Sequence, residues 1–240
     1  MAAAPYGVHH ATETEKQAWV AKASAGLQPC AVDALRRVVG ADRRLLAIRA
    51  YLRAGDSLLQ RWSWSQERLS AYPSTAEGNA AAADIDAVSA TFAAANPGFS
   101  LQVNRQPRSL ELQIAHWNDN ASVAAVAAEL VASVEQQFAA GLANPDPEEL
   151  RKALIDWKPS VAATLAAPGL SAHGQGRAFD FEIVHEGRVI AGTEAGSARQ
   201  IWDAAGWTYK LHKASVAVNR FSGPLQSPYE PWHYTYVPAP

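Results

Sequence analysis

The spacing of apolar residues changes along this chain, and that change limits the fold more than any other feature. Over the first two thirds they recur at helical intervals; over the last third they alternate. Ile85, Val88 and Phe92 fall at i, i+3 and i+7, one helix stripe. Val123, Val126, Leu130, Val134 and Phe138 make another over 121–140, with Gly141 at its end. Leu35, Val38, Val39, Leu45, Leu46, Ile48 and Leu52 recur near helical spacing over 31–54, and 12–27 read as a weaker first helix. About one residue in five is alanine, concentrated in this part. Alanine has the best helix propensity. Asp146-Pro147-Glu148-Glu149 is a capping box with proline at the first helical position. It starts a helix that runs to about Trp157 and is stopped by Pro159.

Phe99 to Asn104 alternates after the Asn96-Pro97-Gly98 stop and predicts a half-buried strand. Arg177 to Val184 alternates with Phe179, Phe181 and Ile183 on one side. The turn His185-Glu186-Gly187 lets Arg188 to Ile190 return as a hairpin. Residues 195–205 read as a short helix, and Thr208–His212 and Trp232–Val237 as strands. The fold class is therefore α+β: a small, mostly antiparallel sheet flanked by helices, plus a helical N-terminal extension. The turn-like run Tyr72 to Asn79 divides the chain into that extension, 1–79, and a second domain, 80–240. Trp62 and Trp64, just before it, are expected to pack rather than to bind a ligand.

Composition excludes several classes. Charged residues are 18%, too few for wholesale disorder. Twenty-one basic residues against 23 acidic ones argue against a nucleic-acid partner. The six arginines between 36 and 53 are diluted by Asp33 and Asp42 and read as a solvated, salt-bridged face. No apolar run reaches the roughly 18 residues of a membrane span, so no transmembrane segment is expected. The start has no early Lys or Arg and no apolar run of a secretory signal. The expected location is periplasmic or extracellular at the cell wall if a signal has been removed, and otherwise cytoplasmic with release by lysis. Nothing in the chain specifies an oligomeric state. A single cysteine, Cys30, excludes an internal disulfide and any multi-Cys zinc site. A bound metal would need His and carboxylate ligands.

The seven histidines therefore have to be sorted. His9 and His10 fall in a mobile terminus, His116 beside Trp117 reads as structural, and His185 sits in the hairpin turn. His212 lies on a predicted strand. His173 and His233 belong to two segments of different character, 168–181 and 227–234. Period 2 puts Phe179 and Phe181 on the core side and Ala178, Asp180 and Glu182 on the other. Gly174 and Gly176 let the backbone bend so that the His173 imidazole can approach Asp180. Pro231 biases Glu230 toward an extended conformation. His233 then lies on the strand face opposite Trp232 and Tyr234. Two histidines and one carboxylate leave a fourth zinc position for water, with a second carboxylate to take its proton. By residue type alone, such a His and Asp serve equally well as surface or supporting groups.

The spacing Ser171-x-His173-x-x-Gly176-x-Ala178-x-Asp180, followed about 50 residues later by Glu230-x-Trp232-His233, resembles a known signature. It is that of zinc D-alanyl-D-alanine carboxypeptidases and D,D-dipeptidases. These are peptidoglycan peptidases related to the vancomycin-resistance enzymes, and they share a fold with the zinc domain of hedgehog proteins. Arg108, Ser109 and Gln113 match a third family segment, in which Pro107 stands in place of the usual aromatic. The resemblance covers about residues 80–238. It implies one Zn2+ per chain, held by His173, Asp180 and His233, with Glu230 as general base. It implies that Arg108 holds the substrate carboxylate or the scissile carbonyl, with Ser109, Gln113, Ser171 and Trp232 as further substrate contacts. The implied enzyme is a zinc metallopeptidase acting on the peptidoglycan stem peptide, most simply releasing terminal D-alanine. Two alternatives use the same scaffold: an L-alanyl-D-glutamate endopeptidase of the phage-lysin type, and a zinc interaction module without hydrolysis. Retention of Glu230 speaks against the last.

Overall fold

The computed structural model describes residues 10–138 and 144–238; His9 and Gly141 lie outside them. In chain order the helices are α1 (Glu13–Ser24), α2 (Pro29–Arg37), α3 (Ala41–Ala54), α4 (Leu58–Arg61), α5 (Gln66–Ala71) and α6 (Ala76–Ala95). After them come α7 (Leu110–Asp119), α8 (Ala121–Gln137), α9 (Pro147–Asp156) and α10 (Trp207–Val218). The strands are β1 (Phe99–Val103), β2 (Ala178–His185), β3 (Arg188–Ala191), β4 (Phe221–Ser222), β5 (Leu225–Gln226), β6 (Tyr229–Glu230) and β7 (His233–Tyr236). The fold is α+β, as expected.

Two compact units form, each from two stretches of chain: 1–60 with 111–169, and 61–110 with 170–240. The sequence places a single boundary at 79/80 instead. The difference arises from packing. Helix α8 lies on α3, and α9 on α1 and α3, whereas Tyr72 joins the core of the second unit. A turn-rich run marks a bend in the chain but does not reveal which elements pack together.

The first unit is helical and centres on α3, which packs on α1, α8 and α9. Leu45, Ala47 and Ile48 are fully buried there, and the Tyr51 hydroxyl donates to the Pro168 carbonyl at 2.7 Å. Val123, Val126, Leu130 and Val134 of α8 are buried as the stripe predicts. Asp146 caps α9 by accepting from the Glu148 and Glu149 amides. The helix expected over 31–54 is broken in two. Val38 is extended and Gly40 has φ 81, so α2 ends before α3 begins. Several arginines here bind main chain rather than solvent: Arg44 donates to the Val38 carbonyl and Arg49 to that of Trp157.

The second unit carries the sheet, in the order β1-β2-β7-β4 with β3 also on β2, all pairs antiparallel. Strand β2 is shared: 178–180 pair with β7 and 181–185 with β1. Glu186 and Gly187 both take positive φ, 51 and 75, the two-residue turn that suits the twist of a hairpin. Phe179, Phe181 and Ile183 are buried against a core that includes Ile85, Val88 and Phe92 of α6. The strand expected at 208–212 is instead part of α10. Trp207, Leu211 and Ala214 are buried at i, i+4 and i+7, a helical stripe that a five-residue window does not contain. Among the described residues no helix is long and apolar enough to cross a membrane.

Candidate metal centre

Asp180 and His233 are register partners across β2 and β7, one position from the buried pair Phe179 and Tyr234. Because side chains alternate, burying that pair turns Asp180 and His233 together onto the other face. His233 Nδ1 lies 3.0 Å from Asp180 Oδ1. His173 enters from a short 3-10 turn, Ala172–Gln175, that precedes β2. Its Nε2 is 3.2 Å from His233 Nδ1 and 3.4 Å from Asp180 Oδ2. Gly176 ends the turn in the left-handed region with φ 60, where a Cβ would stand 2.8 Å from the Tyr72 ring. Both facts restrict that position to glycine. Arg108 donates its backbone N–H to the His173 carbonyl at 2.9 Å, and its guanidinium reaches Asp180 Oδ2 at 3.6 Å. Glu230, on β6, places Oε2 3.6 Å from His233 Nδ1.

The donor set fits a zinc ion. Bonds of about 2.0–2.1 Å to a tetrahedral zinc put neighbouring ligand atoms about 3.3 Å apart. The two imidazole nitrogens are 3.2 Å apart, and each meets a different oxygen of Asp180, His233 at 3.0 Å and His173 at 3.4 Å; one ligand atom from each residue lies within 4.8 Å of the others. His233 Nδ1 also faces more partners than one N–H can serve: His173 Nε2, Asp180 Oδ1 and Glu230 Oε2. Burial pushes the His173 pKa down to about 4; the Arg108 and His233 charges add to this and Asp180 opposes it. His173 is thus neutral at pH 7. It is hydrogen-bonded to the Ala178 backbone. Nε2 is turned to His233 and Asp180, so Nδ1 is the nitrogen left for that bond. Burial of Asp180 would raise its pKa, but the His233 hydrogen bond and the His173, His233 and Arg108 charges hold it below the usual carboxylate value. A neutral imidazole lone pair beside an ionised carboxylate is the N/O set that suits zinc.

The second unit thus brings together His173, Asp180, His233, Glu230 and Arg108, with Ser171 at the start of the His173 turn and Ser109 next to Arg108. Two expected substrate contacts are buried. Gln113 belongs to the first unit, where it is 5% exposed and its Oε1 accepts from the Gly169 amide at 3.0 Å. Trp232 is 3% exposed, with its ring 6.0 Å from that of Trp202 in the core. Trp232→Ala is therefore expected to cost about 3–5 kcal/mol of stability in denaturant unfolding. Unchanged stability with a raised KM would return this ring to the substrate. His116 and His212 are exposed on α7 and α10, and His185 stacks on Phe99 at 4.6 Å. Glu182 shares the Asp180 face and accepts from Gln102 Nε2 at 3.2 Å. Sequence reasoning missed the residues that cradle the His173 turn; the glycine at 176 was the one local sign of them.

The chain matches no protein-family model, no curated protein and no solved structure. Any functional reading therefore rests on the geometry of this centre and on the motif spacing.

Proposed function

We propose that this chain is a zinc-dependent peptidase of peptidoglycan stem peptides that releases the terminal D-alanine. The observation that carries this reading is the convergence of His173 Nε2, His233 Nδ1 and the Asp180 carboxylate within 3.0–3.4 Å of one another, beside a half-buried glutamate. Those three residues would hold one zinc, which when bound polarises a carbonyl and makes water acidic near neutral pH. Glu230 moves the proton. Burial pushes its pKa up to about 7, with Asp180 adding and His233 and Arg108 opposing. A carboxylate of that affinity both accepts a proton and gives it up near neutral pH. The planar guanidinium of Arg108 matches a substrate carboxylate. A groove of about 320 Å³ runs beside His233 and is lined by Ser222, Gly223, Pro224, Leu225, Gln226 and Thr235. It offers an extended peptide a place next to the metal ligands.

The choice of bond follows the motif resemblance, and mass spectrometry of a digested stem pentapeptide tests it. Loss of one alanine is the expected product. A cut between L-alanine and D-glutamate would replace this reading with the endopeptidase. Zinc binding without any cleavage would leave an interaction module.

A further inference from the structure

The turn that carries His173 is held residue by residue. The Gly174 carbonyl accepts from the Trp64 amide at 2.9 Å. Gln175 Nε2 donates to the Trp62 carbonyl at 2.8 Å. Gly176 is closed over by the Tyr72 ring. Arg177 pairs with Glu77 at 2.6 Å. Four consecutive residues therefore each meet a partner between positions 62 and 77, a stretch outside the part of the chain that bears the peptidase motifs. The stretch is itself well fixed. Tyr72 is 4% exposed and packs on Trp64 with ring centroids 5.1 Å apart, and Arg68 lies over the Trp64 ring at 3.9 Å. Ser65 caps α5, and the Tyr72 carbonyl accepts from both the amide and the hydroxyl of Thr75.

We propose that residues 62–77 are a positioning clamp that presets His173 for the metal; this rests on the zinc reading above. The physical need is plain. The turn contains Gly174 and Gly176, and glycine samples more backbone conformations than any other residue. Asp180 and His233 are fixed by the sheet register, whereas His173 precedes the strand and has no ladder partner of its own. Its ligand atom must nevertheless be placed to within tenths of an ångström. None of Trp62, Trp64, Tyr72 or Glu77 supplies a metal ligand, so their action passes through the turn. Loss of the groups that orient a ligating histidine typically weakens metal binding by about 10–100-fold.

The test is Co2+ titration of the full chain, read by visible absorption and by competition with a chromophoric chelator. Glu77→Gln combined with Gln175→Ala is expected to weaken Co2+ binding at least about tenfold and to change the absorption envelope of the bound ion. His212→Ala, at an exposed residue of α10 outside the clamp, should bind as the parent does. A merely structural role would lower the melting temperature and leave the spectrum alone. Parental affinity and spectrum in the combined variant would overturn the clamp. If that variant fails to fold, Gln175→Ala alone, which removes the bond to the Trp62 carbonyl, gives the same readout with the same meaning. Failure of the parent chain to take up Co2+ would remove the zinc reading and the clamp with it, an outcome distinct from parental binding in the variants.

Discussion

Glu230→Gln is expected to lower turnover of a stem pentapeptide by roughly 10²–10⁴-fold while about one zinc per chain remains bound. Glutamine keeps the size of the side chain and its hydrogen-bonding reach but cannot accept the proton. The metal should survive because Glu230 stands off the converging triad, 3.6 Å from His233 Nδ1 against 3.0 Å for Asp180. The fold should survive as well. Burial already raises the proton affinity of this carboxyl, so a neutral group is no worse suited to the position. Turnover, zinc content by elemental analysis and unfolding midpoint, measured on one preparation, separate the possibilities. A rate within a few-fold of the parent would remove Glu230 from proton transfer. Loss of zinc together with activity would make it a ligand.

How far the sequence anticipates the site depends on the range of the forces involved. Alternation is local, so Phe179, Phe181 and Ile183 inward and Asp180 outward could be read from β2 alone, and the structure agrees. The pairing of Asp180 with His233 is not local. It depends on the register of strands more than 50 residues apart; residue types leave it open, and the motif resemblance implies it. Trp232 illustrates the opposite failure. It sits inside a motif and so reads as a substrate contact, yet its ring is buried against Trp202 of the helical segment Arg199–Asp203, which spacing cannot connect to it. The clamp was invisible because two of its bonds end on the carbonyls of Trp62 and Gly174, groups that every residue type supplies. Residues 208–212 of helix α10 read as a strand because five residues fit either period, and Trp207 and Ala214, which complete the buried stripe with Leu211, lie on either side of them.

His233→Ala is expected to abolish stoichiometric zinc binding, and His173→Ala to do the same. His233 is the hub of the centre: its Nδ1 lies within 3.0–3.6 Å of His173, Asp180 and Glu230. Without it one imidazole and one carboxylate remain at the triad, fewer than the three protein ligands of a catalytic zinc. The strand itself should persist, since Tyr234 and Tyr236 anchor β7 with 0% and 2% exposure. Asp180 would lose the hydrogen bond that most lowers its pKa but would keep Arg108 and His173 beside it. Loss of metal can therefore be separated from loss of fold by a second readout that needs no substrate. A ligand that binds only the folded chain adds about 2.7 kcal/mol of stability at a hundredfold excess over its Kd. Zinc should accordingly raise the melting temperature of the parent chain and of variants at the exposed His116 and His212, and leave that of His233→Ala and His173→Ala unmoved. Full zinc content and an undiminished shift in both triad variants would place the metal elsewhere on the molecule.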